Sequence, residues 1–370
     1  MDIITRNYLR LLRAGAFQEQ ETIEPMSAWK WAQVYDISLL HHTTALVFDG
    51  IRQCQDQFFL NIGRRLLTQW QEKTLATERS YSDICEQAHT LFDTLRQSQC
   101  RPLLVGSIAY SQHYAKPFHR ETGSVTLFFP YDTQGRKADS WAEANGTDIL
   151  YPDRHTVRYR WQGITVTHRH RLLQLSNKLL AHNLRNLVEQ ELRESKTDTF
   201  GDEQQPFETF GPTLTLFQML LQQSCDLITS GILLLDLIDL GSFLRNSGHR
   251  VDYIKLQGWI ERMKMQRMTQ IIAQLLCDLL SFTPDELPFT SLQRRYDLTS
   301  IIHEILTPSS MRSKRMTFTQ GSSGIFVHSS NSSAFMWHAR RSARFLRYYP
   351  SESITSLFTS FARSLTNIEE

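Results

Sequence analysis

Gly106 and Ser107 end the apolar run Leu103-Leu104-Val105 and open a stretch compatible with a helix. A turn of that kind offers backbone N–H groups to a phosphate, and the helix dipole favours negative charge there. His119 and Arg120 follow in the same segment, and His168 lies further along. Gly106, Ser107, Arg120, His119 and His168 are therefore the candidate residues for binding a phosphate or nucleotide. Nucleophilic hydrolysis lacks its parts, because Ser107 has no matching histidine and acid set.

Other chemistry-bearing residues read more blandly. His168 and His170 would share one strand face, with His155 earlier in the chain. Structural zinc takes four close Cys or His ligands, whereas here the flanks are Arg169 and Arg171, so no metal site is expected. Glu121, Asp132, Asp139, Asp148 and Asp153 are the nearby carboxylates. Catalytic carboxylates need fixed positions on rigid elements, and these five read as surface acids. His41-His42 reads as a polar helix face. Residues 312–315 and the arginines around Phe345 and Tyr348 interleave charge with aromatic rings, as nucleic-acid binders do. The chain as a whole carries 40 basic and 38 acidic residues, net +2, which argues against nucleic acid as the partner.

Several elements must position these residues. Residues 1–97 read as helical: a stripe from Ile3 to Leu12, then residues 27–34, 38–54 and a long proline-free run over 58–97. Residues 103–105 and 124–129 read as short strands around a helix over 107–115. Residues 133–144 read as a helix. Residues 155–161 and 164–168 read as a hairpin turning at Gln162-Gly163. Helical spacing returns over 172–194, and residues 195–208 form a polar loop. Residues 214–246 and 253–280 read as two long helices joined at Ser247-Gly248. Residues 309–333 are rich in Ser, Gly and Thr and read as irregular or mobile. The tail over 335–367 reads as amphipathic helix divided at Pro350.

Composition bounds the rest. A chain of 370 residues with 41% hydrophobic content and 21 Phe can bury a large core. Cys54, Cys85, Cys100, Cys225 and Cys277 are scattered and odd in number, which suits reduced thiols. The N-terminus carries Asp2, Arg6, Arg10 and Arg13 and lacks a signal-peptide core. The most apolar segment, residues 231–240, contains Asp236 and Asp239 and is too short to span a bilayer. A cytoplasmic protein with no membrane association is expected.

Residues 102–130 carry a resemblance. Gly106-Ser107, Tyr114, Pro117 and Arg120 stand in an order similar to that of a bacterial family of uncharacterised nucleotidyltransferases, related to the polymerase-β-like palm. Gly231-Ile232-Leu233-Leu234 with Asp239, and the tail Tyr349-Pro350-Ser351-Glu352, also look like family features. The resemblance covers roughly residues 29–280. It implies an α+β fold: a small mixed-sheet palm over 98–195, between a helical region over 1–97 and a mostly helical region over 196–370.

In that family the second palm strand carries Asp-x-Asp, and a later strand carries a third acid. These acids hold two magnesium ions. Here the positions read Ser124, Thr126 and Thr167, and a position that is often Lys reads Val105. Magnesium is held by carboxylates and substrate phosphates, and neutral hydroxyls are weak ligands. The resemblance therefore implies a protein without a metal cofactor, acting by binding a nucleotide, an anion or a protein partner. The alternative is a magnesium-dependent enzyme that uses relocated carboxylates to move a nucleotide onto a sugar, small molecule or protein.

Overall fold

A computed structural model describes residues 1–57, 61–195, 197–201, 206–292, 295–307, 341 and 343–355. The chain opens with α1 (Ile3–Phe17), α2 (Ala28–Leu40), α3 (Thr44–Gln53) and the 34-residue α4 (Arg64–Gln97). Then come β1 (Leu103–Val105), α5 (Ser107–Ser111), β2 (Val125–Phe128), α6 (Asp132–Asn145), β3 (Thr147–Asp153), β4 (Thr156–Trp161) and β5 (Ile164–Arg169). After α7 (Lys178–Glu194), a small hairpin of β6 (Asp198–Phe200) and β7 (Phe207–Thr209) precedes α8 (Pro212–Ile228), α9 (Leu234–Ser247), α10 (Tyr253–Arg262), α11 (Gln266–Leu280) and α12 (Thr299–Leu306). The α+β expectation holds. Among the described residues no helix is long and apolar enough to cross a membrane.

The helix breaks fall elsewhere than the sequence suggests. Residues 38–54 do not form one helix, because α2 and α3 are separated by a turn in which His42 has φ 56°. Residues 214–246 split at Gly231, whose φ of +83° suits glycine far better than other residues. Residues 253–280 split at Lys264, φ 58°. The helix over 107–115 stops at Ser111, and the one over 172–194 begins only at Lys178. The expected polar loop over 195–208 contains the β6–β7 hairpin, and β3 was not anticipated. The segment over 309–333 and most of the tail lie outside the described residues.

Two compact units emerge, and neither is one continuous stretch. The first comprises Met1–Leu172, Glu191–Thr215 and Leu233–Val251, and the second comprises Leu173–Gln190, Leu216–Ile232 and Asp252–Glu370. In the second unit the tail is pinned by the side chains of Tyr349 and Glu352. Tyr349 donates to the Met263 carbonyl at 3.0 Å, and the buried Glu352 accepts from the Ser176 and Asn177 amides at 2.7 and 3.1 Å. Asn177 caps α7 through the Leu179 and Leu180 amides.

The first unit is organised by a five-stranded sheet of order β1-β2-β5-β4-β3. β2 and β5 run parallel, and the other neighbours run antiparallel. Alternation along each strand gives the sheet two unlike faces. Leu104, Val125, Leu127, Val166 and Tyr159 point to one side, where they form a single core with Ala88, Leu91 and Leu95 of α4 and Ala138 and Ala142 of α6. Each large side chain buried there contributes roughly 1.5–3 kcal/mol relative to exposure. The opposite face carries Thr126, Thr167 and Arg158.

The turn after α5 is locked to α9. The His113 carbonyl accepts from the Asn246 side chain, its Nδ1 pairs with the Ser247 hydroxyl at 3.1 Å, and its ring packs edge-on against Phe243. Burial pushes the His113 pKa down from 6.5 to about 4. The folded state thus takes up this proton later than the unfolded chain. Stability from this site is complete above pH 6.5 and is lost as pH falls towards 4, by about 3 kcal/mol for a shift of that size. Urea unfolding measured across this window should show the loss, and His113→Gln should flatten that part of the profile.

Candidate functional site

The second face of the sheet is built by strand register. Val105 lies opposite Thr126, Thr126 opposite Thr167, Thr167 opposite Arg158, and Arg158 opposite Leu150, a row across all five strands. Ser124 stands just before β2 on the same side as Thr126. The sequence thus delivers its three expected hydroxyl positions to one face: Ser124 and Thr126 half-buried, Thr167 buried. Phe128 closes one end of this face by packing edge-on against Phe210.

Gly106 borders the row. Its φ of +80° and ψ of −144° lie in a region that only glycine occupies readily, and a Cβ there would stand 3.8 Å from the Thr126 side chain. Ser107 donates its hydroxyl to the Ser124 carbonyl at 3.2 Å, tying the start of α5 to the entry of β2. The helix that follows has only five residues. Its dipole is correspondingly small, so the helix-start attraction for phosphate is weaker than the longer expected helix would give.

The electrostatics of this face are basic. Arg158 and Arg160 on β4 and Arg169 on β5 share it with Thr126 and Thr167, because Arg158 faces Thr167, Arg160 faces Thr165, and Arg169 faces Thr156. No Asp or Glu occupies positions 124, 126, 128, 165, 167 or 169. Hydroxyls and guanidiniums do not fit a magnesium pair, which needs anionic oxygen ligands. Among the described residues no group of three or more His, Cys, Asp or Glu side chains could hold a metal ion.

His168 is not brought to this face. It is fully buried on the packed side, where Tyr159 and Asp139 flank it at 2.9 and 3.1 Å. A carboxylate only accepts, so Nδ1 carries the proton and Nε2 accepts from the Tyr159 hydroxyl. Burial holds the His168 pKa below its ordinary value.

Arg120 and His119 are committed to acids. Arg120 is buried and forks onto Asp239 at 3.0 and 2.6 Å, and Tyr114 donates to the same carboxylate. Burial alone would lower the Arg120 pKa, but the Asp239 charge and hydrogen bonds outweigh it and raise it. His119 sits between Asp49 at 2.5 Å and Glu78 at 2.7 Å.

The five nearby carboxylates are engaged or exposed. Asp139 binds both His168 and His170. Burial opposes its charge, yet those bonds hold its carboxyl below the usual range. Glu121 meets Lys73 and His42, each at 3.3 Å, and is likewise held low against its burial. Asp153 accepts from the His155 amide at 2.7 Å. Asp132 and Asp148 are exposed, and Asp132 lies 3.9 Å from Arg171.

Sequence reasoning missed Arg158 and Arg160. A signal existed: residues 154–171 hold five Arg and three His and no acid. A family model described as uncharacterised nucleotidyltransferase matches residues 27–281 of the chain. No curated protein and no solved structure matches it.

The Arg120–Asp239 pair has a measurable weight. Asp239→Ala would leave a buried guanidinium without its counter-charge and should cost about 3–5 kcal/mol in chemical denaturation. The double variant Arg120→Met/Asp239→Leu should recover most of that loss, because it removes both charges together.

Proposed function

The chain belongs to the uncharacterised nucleotidyltransferase family, and we propose that it uses the family palm to bind rather than to transfer a nucleotide. The observation that carries this reading is the acid-free face of the sheet, where Ser124, Thr126 and Thr167 stand together and arginines take the neighbouring positions.

Nucleotidyl transfer needs two cations that align the attacking oxygen, the α-phosphate and the leaving pyrophosphate. Anionic oxygens must hold those cations, and this face offers none. Relocated carboxylates would rescue transfer only if they could leave their present partners. Asp139 and Glu121 are held by histidines and a lysine, and leaving would forfeit those bonds. What the face retains suits an anion: hydroxyl donors, a close glycine turn and guanidiniums. A nucleotide, another anion or an acidic surface of a protein partner fits that chemistry.

The test is transfer of label from each nucleoside triphosphate, with magnesium and with manganese, onto sugars, small molecules and protein. Wild type should give no transfer above a protein-free control. Ser124→Asp/Thr126→Asp/Thr167→Asp, which restores the anionic ligands, should bind magnesium where wild type does not. Turnover by wild type would overturn the reading.

A further inference from the structure

This face of the palm carries positive charge of its own. The hairpin of β4 and β5 is the basic part of the sheet, and its register sends Arg158, Arg160 and Arg169 to the face that bears Thr126 and Thr167. Directly opposed residues on neighbouring strands lie about 5 Å apart, and same-face residues along a strand lie about 7 Å apart. Arg158 therefore stands beside Thr167 on the β4 side.

Arg169 stands two residues beyond Thr167 on β5, on the same face and opposite Phe128 of β2. The hydroxyl pair is thus flanked by Arg158 across from Thr167 on β4 and by Arg169 further along β5. In a metal-bearing palm, acids on this face would repel a triphosphate unless divalent ions intervened. Here that sign is reversed, and positive groups meet the phosphates without an intermediary.

We propose that this face binds the triphosphate of a nucleotide directly, without a divalent cation, with Arg158 and Arg169 as counter-charges and the Thr126 and Thr167 hydroxyls as hydrogen-bond donors. The proposal rests on the binding reading given above and names its ligand. Arginine suits the task because its planar fork grips two phosphate oxygens at once. It need not be idle: Arg158 and Arg169 already interact within the protein, and five N–H donors let a guanidinium serve a protein acceptor and a phosphate together. A small polyanion fits better than nucleic acid, because the arginines occupy one hairpin face of a chain whose net charge is only +2.

The experiment is calorimetric titration of the full chain with ATP and, separately, with inorganic tripolyphosphate, each in EDTA and again in magnesium. Both ligands should bind in EDTA, with affinity falling as salt rises. Arg158→Ala and Arg169→Ala should each weaken binding tenfold or more. Arg158→Lys keeps the charge but loses the fork, and should cost several-fold. Ser124→Asp/Thr126→Asp should abolish binding in EDTA. Arg136→Ala, on α6, should bind as wild type does. Circular dichroism of every variant confirms folding, and Arg158→Lys decides the matter if the alanine variant fails to fold.

Four results would each overturn the proposal: no heat in either condition, binding only with magnesium, Arg158→Ala and Arg158→Lys indistinguishable from wild type, or binding of a single-stranded oligonucleotide but not of ATP. None of them bears on the transfer assay that tests the non-catalytic reading. Conversely, turnover in the transfer assay would end that reading whatever the titrations in EDTA show.

Discussion

The buried pair of Arg120 and Asp239 is the constraint around which the first unit is arranged. Two opposite charges removed from water are tolerated only when each is nearly saturated with partners. Arg120 spends three nitrogens on Asp239 and the Glu121 carbonyl, and Asp239 also accepts from Tyr114. The flanking residues follow the same rule. Lys116 and His119 hold Asp49, His119 also holds Glu78, and Glu121 holds His42 and Lys73. The segment before β2, which contains a 3-10 turn over Pro117–His119, is thereby fastened to three helices. The position of Ser124, and of the whole second face, depends on that fastening.

The sheet then divides its labour. One face is committed to packing and accepts polar groups only when they are fully paired, as the Tyr159–His168–Asp139–His170 chain is. The other face carries Thr126, Thr167 and the arginines of the β4–β5 hairpin. The division explains why two adjacent residues, Thr167 and His168, have opposite fates. A one-residue step along a strand exchanges the arginine-bearing face for the packed one.

Much of this was legible. The apolar runs ending at Gly106 and Phe129 and the Gln162-Gly163 turn gave β1, β2, β4 and β5, because buried strands and tight turns leave local signatures. The grouping of Ser124, Thr126 and Thr167 followed from resemblance alone, since spacing in sequence does not say which strands are neighbours. β3 escaped because its residues, TDILYPD, mix exposed polar and apolar types and include a proline, as an edge strand can. The helix breaks at His42 and Lys264 escaped because each is a local terminating turn, closed by Thr43 N–H to the Ser38 carbonyl and Met265 N–H to the Ile260 carbonyl, with no glycine at the left-handed position to announce it. Arg120 read as a phosphate ligand because its true partner lies 119 positions away. Arg158 went unremarked because alternation in TVRYRW announces a strand without saying which neighbour the charged side will meet.

That separation also bears on how the protein is made. During synthesis the N-terminal helices and every strand of the sheet emerge well before residue 239. Until then Arg120 has no carboxylate to enter the interior with, and the loop before β2 cannot settle. The first unit is moreover assembled from three separate stretches, the last ending at Val251. Long-range closures of this kind form late, because chain entropy must be lost before the contact repays it. The nascent chain should therefore leave the segment before β2 unsettled for about seventy residues of translation after β5 is made, a window in which misassociation competes with folding.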